Sequence, residues 1–117
     1  EELVSESIAR EGRIVRDVLQ VIEDHYGENI GLEWIAAQVK LSSGYLSSLF
    51  KMEYGQGLTQ YLIAYRMEKA KELVCHTDLR VAEIGQQVGY PSTSYFCQQF
   101  KKYHGVTPNR MLEKYQK

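Results

Sequence analysis

Ile35-Ala36-Ala37-Gln38-Val39 recurs as Ile84-Gly85-Gln86-Gln87-Val88, 49 residues further along the chain. Tyr45-Leu46 and Phe50-Lys51 recur as Tyr95-Phe96 and Phe100-Lys101, and Gly55 as Gly105, at an offset of 50. Self-similarity at a fixed period marks a repeated supersecondary unit. The offset grows by one residue midway through the unit, where a turn absorbs an insertion without disturbing a helix on either side. Apolar residues on both sides of that point recur at helical spacing, so each copy reads as a short helix, a tight turn and a longer helix. Ala36 and Gly85 stand where the two helices of a unit must approach closely. Gly89 falls in the second turn, where glycine adopts positive φ at little cost, and Lys40 takes its place in the first.

The helical pattern extends outward from the repeats. Ile14, Val18, Leu19 and Ile22 mark a first core helix that ends near Tyr26-Gly27, with Gly27 suited to a left-handed cap. Leu32, Ile35, Ala36 and Val39 mark the short second helix, and Leu46, Leu49 and Phe50 the third, with Ser42 placed to accept from its free amides. Leu58, Tyr61, Leu62, Tyr65, Ala70, Leu73 and Val74 trace a long fourth helix. Val81, Ile84 and Val88 give a short fifth, and Phe96, Phe100 and Tyr103 a sixth. Thr107-Pro108 opens the last, a cap followed by proline at the first helical position, carrying Met111, Leu112 and Tyr115. No stretch alternates as a half-buried strand does. The expected fold is all-α: seven helices forming two helix-turn-helix subdomains, 14–56 and 77–117, joined by a linking helix over 57–76. Residues 1–13 read as an acidic linker or helical extension from a preceding domain.

The chain has 117 residues, 44% of them hydrophobic, enough for a core. No run approaches a membrane span and no signal-peptide layout is present, so the sequence reads as soluble. A formal charge of -1 argues, taken alone, against a nucleic-acid binder. The charge is unevenly spread, however. Residues 1–33 hold three basic and nine acidic groups, a balance of -6, so the remainder carries +5.

A short helix, a turn and a second helix is the layout by which many proteins enter the DNA major groove. The second helix of each unit buries Leu46, Leu49 and Phe50, or Phe96 and Phe100, so the opposite stripe faces outward. In the first unit that stripe holds Gly44, Ser47, Ser48 and Lys51; in the second it holds Thr93, Ser94, Cys97, Gln98 and Lys101. Small hydrogen-bonding residues there suit close approach to base edges. They also suit a merely solvated face, and having two matched copies favours the former. The expected base-facing set is Gly44, Ser47, Ser48, Thr93, Ser94, Cys97 and Gln98, with Gln98 the strongest reader, bidentate to adenine. Ser43, Lys51, Arg66, Lys101 and Lys102 are the expected phosphate contacts, with a structural role on the linking helix the equal alternative for Arg66. Tyr45 and Tyr95, at matched positions, are expected to pack in part and offer a hydroxyl to backbone or phosphate.

Leu32-x-x-Ile35-Ala36, Ser42-x-x-Tyr45-Leu46-x-x-Leu49-Phe50-Lys51, Gly55 and Tyr61-Leu62-x-x-x-Arg66-x-x-x-Ala70-x-x-Leu73 resemble the first half of the DNA-binding domain of AraC/XylS-type transcription regulators. Val81-x-x-Ile84-Gly85-x-x-Val88-Gly89-Tyr90, Ser94-Tyr95-Phe96-x-x-x-Phe100-Lys101-Lys102 and Gly105-Val106-Thr107-Pro108 resemble its second half. The resemblance implies two recognition helices in successive major grooves, about 34 Å apart along one face of a duplex. Arg66 takes the place of the family's recurrent arginine on the linking helix. The sequence departs from the family at Gly85, usually alanine, at Gln99, usually aliphatic, and at Met111-Leu112, usually an aromatic then an arginine.

The remaining expectations follow from chemistry that is missing. There is no phosphate-cradling glycine loop, no nucleophile elbow and no paired His-Glu metal motif, so no enzyme activity and no cofactor is expected. His25, His76 and His104 are scattered, and Cys75 and Cys97 fit neither a disulfide framework nor a metal spacing. The expected setting is the bacterial cytoplasm, with double-stranded DNA and RNA polymerase as partners and homodimerisation through a further N-terminal domain. A helical protein-interaction module without specific DNA binding is the alternative, since the outward stripes hold no arginine.

Overall fold

The computed structural model describes residues 2–115, and side chains over residues 9–115. These residues form seven α-helices and no strand: α1 Glu2–His25, α2 Leu32–Gln38, α3 Ser43–Tyr54, α4 Leu58–His76, α5 Val81–Gln87, α6 Thr93–His104 and α7 Pro108–Tyr115. The all-α expectation of seven helices is borne out. Helix α1 runs without a break from Glu2 through the segment read as linker or extension. Met67, which the sequence reading left out of the core, is fully buried, whereas Tyr103, read as a core marker, is 43% exposed.

The chain divides into two compact units, Glu1–His25 with Ile30–Leu62, and Tyr26–Asn29 with Ile63–Lys117. In the first, Val18, Ile22, Ile35, Leu46, Leu49 and Phe50 form a fully buried centre. The ring of Phe50 packs against Tyr54 and Tyr61 at centroid distances of 5.1 and 5.7 Å. In the second, Met67, Ala70 and Val74 of α4 meet Ile84 and Val88, Phe96 and Phe100 of α6, and Met111 of α7.

Local chemistry sets the helix ends. Ser42 and Ser92 are N-caps in extended conformation, each side chain accepting from the amide three residues on, Tyr45 or Tyr95, at 3.2 Å. Gly55 and Gly105 close the same helices in the left-handed conformation, with φ of 92° and 83°. Thr107 accepts from the Arg110 amide at the start of α7, and the Glu83 carboxylate accepts from the Arg80 amide at the start of α5.

The turns of the two repeats match in geometry but not in residue. Gly89 has φ 99° and Lys40 has φ 59°, so both occupy the left-handed region and only one does so cheaply. Gly27 corrects an expectation: it does not take positive φ. Glycine is needed there because a Cβ would run into the backbone carbonyl of Gln87. At Gly85 a Cβ would lie 3.0 to 3.3 Å from three side-chain atoms of Phe96, so the Phe96 side chain of α6 packs directly on the backbone of α5.

Candidate nucleic-acid interface

Helices α3 and α6 are the longer helices of the two units, each 12 residues, each capped by serine at one end and left-handed glycine at the other. Their cores, Leu46, Leu49 and Phe50 or Phe96 and Phe100, fix which side faces out. Gly44, Ser47, Ser48 and Lys51 are all exposed on α3, and Ser43 at its first position is half-buried. Thr93, Ser94, Gln98, Lys101 and Lys102 are exposed on α6. Nothing lies within 4 Å of where a Gly44 Cβ would stand, so that stretch of α3 is bare backbone open to an incoming surface.

Cys97 stands apart from this set. It is half-buried at the flank of α6, packed against the core of its unit, and that burial pushes its thiol up from the ordinary 9.0. Tyr45 and Tyr95 are more exposed than expected, at 45% and 51%. Met52 is 68% exposed on the same side of α3, and no sequence motif had drawn attention to it. Tyr45 and Met52 lie three places before and four places after Ser48, and so flank it on the helix surface.

Arg66 has the surroundings of the structural one of its two expected roles. It is 8% exposed, and its guanidinium donates to the Tyr26 carbonyl at 2.8 Å and the Glu28 carbonyl at 2.9 Å. The guanidinium carbon also lies 5.4 Å from the centre of the Tyr90 ring. A buried fork of donors between two carbonyls is a staple for the Tyr26–Asn29 segment. Tyr90, beside it, is held above the ordinary 10.0 by burial, with the Arg66 charge pulling the other way.

Among the described residues no group of His, Cys, Asp or Glu could hold a metal ion, and no helix is long and apolar enough to cross a membrane. The interface therefore offers short hydroxyls, one long amide, exposed backbone and lysines at the helix ends.

Residues 35–114 match the family model described as a helix-turn-helix domain, and the chain belongs to the AraC-type branch of that family, the DNA-binding domains of transcription regulators. It is 38% identical over 94 residues to the regulatory protein PocR of Salmonella typhimurium, a match covering 80% of this chain and 31% of PocR. The chain thus spans about a third of that curated relative. The solved C-terminal domain of the two-component response regulator yesN from Fusobacterium nucleatum is 40% identical, with a TM-score of 0.79 over 81% of this chain and 93% of that one. The DNA-binding domain of AdpA, solved in complex with a target DNA, has the same fold, with a TM-score of 0.80 at 24% identity over 88% of this chain and 92% of that one.

Proposed function

We propose that the chain grips double-stranded DNA at specific sites through α3 and α6, as the DNA-binding part of a bacterial transcription regulator. The observation that carries this reading is the matched pair of 12-residue helices, each with an exposed stripe of small polar residues that ends in lysine. Each helix enters a major groove, the two grooves being successive. Gln98 reads a base through its amide, and Ser47, Ser48, Thr93 and Ser94 make shorter contacts to base edges. Lys51, Lys101 and Lys102, with Ser43 at the start of α3, meet phosphates. The proposal extends to contact with RNA polymerase, a cytoplasmic setting without enzymatic chemistry, and pairing with a second copy through a further domain. A positive excess of only five beyond residue 33 fits moderate affinity for one copy and tighter binding for two linked copies.

Selection from random duplexes tests the reading. The expected product is a bipartite site with half-elements about 10 bp apart. Affinity should fall by about 0.9 log units per log unit of salt for each phosphate neutralised, so by several in all. Gln98→Ala should relax preference at one base pair while Lys101→Ala weakens every sequence alike. Duplex binding without any selected sequence would favour the helical interaction module instead.

A further inference from the structure

The two recognition helices share a frame but not a chemistry. Aligned at the offset of 50, Ser48 stands where α6 has Gln98, and Met52 where it has Lys102. On a helix, residues three before and four after a given position flank it on one face. Ser48 is therefore flanked by Tyr45 and Met52, and Gln98 by Tyr95 and Lys102. Tyr95 leans on a neighbour, its ring 5.8 Å from that of Tyr90. Tyr45 has no ring partner among the described residues, and Met52 is the most exposed of the large apolar side chains.

These facts separate what each helix can recognise. The Gln98 amide can satisfy a donor and an acceptor on one base edge, and Lys102 can add a phosphate contact. The α3 face has no such reach. A serine hydroxyl donates or accepts to almost any edge, so Ser47 and Ser48 discriminate little by themselves. What α3 does present is an apolar pair astride a short, hydroxyl-bearing centre, with bare backbone at Gly44 allowing close approach. The one apolar group that the major groove displays is the C5-methyl of thymine. Methionine is unbranched and polarizable, and adapts to such a surface without a fixed rotamer.

Resting on the DNA-binding reading above, we propose that α3 reads thymine through its methyl group, with Met52 and Tyr45 as the specificity-determining side chains, while α6 reads through hydrogen bonds. The half-element served by α3 is then rich in thymine at the positions below Met52 and Tyr45.

The test uses the selected duplex and the chain as it stands. The half-element whose preference is unaffected by Gln98→Ala belongs to α3. Replacing its thymines one at a time by deoxyuridine removes only the methyl, and the expected loss is about fourfold per contacted methyl, the equivalent of one buried methylene. Met52→Ala should bind the thymine duplex more weakly and lose the deoxyuridine penalty at the thymine below Met52, because that contact is already gone, while any penalty below Tyr45 remains. Met52→Lys, which copies α6, should bind all sequences more tightly at low salt and likewise ignore the methyl. Both changes fall on a side chain exposed enough to leave the fold untouched. Equal affinity of the wild-type chain for thymine and deoxyuridine duplexes overturns this proposal alone and leaves sequence-specific binding intact. An undiminished deoxyuridine penalty in Met52→Ala removes Met52 from it. A chain that selects no duplex at all overturns the parent reading and this one together.

Discussion

Arg66 offers the sharpest separation between a structural and a DNA-facing role, because the two assign opposite signatures to one substitution. Its guanidinium is the donor for the Tyr26 and Glu28 carbonyls at 2.8 and 2.9 Å in a site only 8% exposed. Arg66→Met keeps the buried stem but removes both donors. Each orphaned carbonyl costs about 1–3 kcal/mol, and the lost stacking on Tyr90 adds about 1. Relief from burying a charge offsets part of this, so a net loss of about 3 kcal/mol is expected. For a chain of this size that is a fall in Tm of about 12 °C by calorimetry or circular dichroism. Arg66→Lys keeps the charge, but one ammonium does not reproduce the fork, and about half the loss should remain. Measured where all variants are folded, duplex affinity should retain its full salt slope in Arg66→Lys and Arg66→Met alike. An unchanged Tm together with a slope shallower by about one in Arg66→Met would refute the buried-staple account and restore Arg66 to the phosphate contacts.

The turn residues should respond with opposite signs. Lys40→Gly relieves a left-handed φ of 59° and should raise stability by about 0.5–1 kcal/mol. Gly89→Ala adds a Cβ within 2.9 Å of Arg66 and the Tyr26 carbonyl at φ 99° and should cost more than about 2 kcal/mol; urea titration of each variant reads both. Gly85→Val should disrupt the contact with Phe96 by about 2–3 kcal/mol through overpacking, with loss of binding by α6. Burial raises the Tyr90 phenol, so the folded state favours its neutral form. That contribution is complete below the unfolded value near 10 and is lost as pH rises through the folded one, and Tyr90→Phe should flatten part of the alkaline fall in Tm. The Cys97 thiol, raised in the same sense, should react slowly with iodoacetamide at pH 8 until the chain is unfolded.

Much of the fold was legible because the repeat gave each inference a second copy. The serine caps, the left-handed glycines and the buried Phe50 and Phe100 recur in register, and agreement across levels is what makes a pattern decisive. What escaped was decided by tertiary contact rather than local spacing. The left-handed cap expected at Gly27 failed because its constraint comes from Gln87, sixty residues away in sequence. Arg66 sits at a helical position that reads equally well as surface or core until the Tyr26 and Glu28 carbonyls are found beside it. Tyr103 has the spacing of a core residue but turns partly to solvent, and Met67, outside the apolar pattern traced along the fourth helix, lies fully buried. On the interface, the hydroxyl and lysine stripe followed from knowing which face was apolar. Met52 did not, since an exposed methionine breaks the rule that assigned the faces.

The bond between Arg66 and the Tyr26–Asn29 segment spans 38 to 40 residues of chain and ties a loop between α1 and α2 into the second unit. The second unit is therefore not a contiguous stretch of sequence, and a gene fragment cut before Ile63 would encode an arginine with its two acceptors left behind. During synthesis the order is reversed: Tyr26 and Glu28 emerge first and wait, their carbonyls in water, until α4 delivers the guanidinium. The second repeat taken by itself therefore lacks the segment on which its own arginine closes, and a piece that carries it whole has to begin at or before Tyr26.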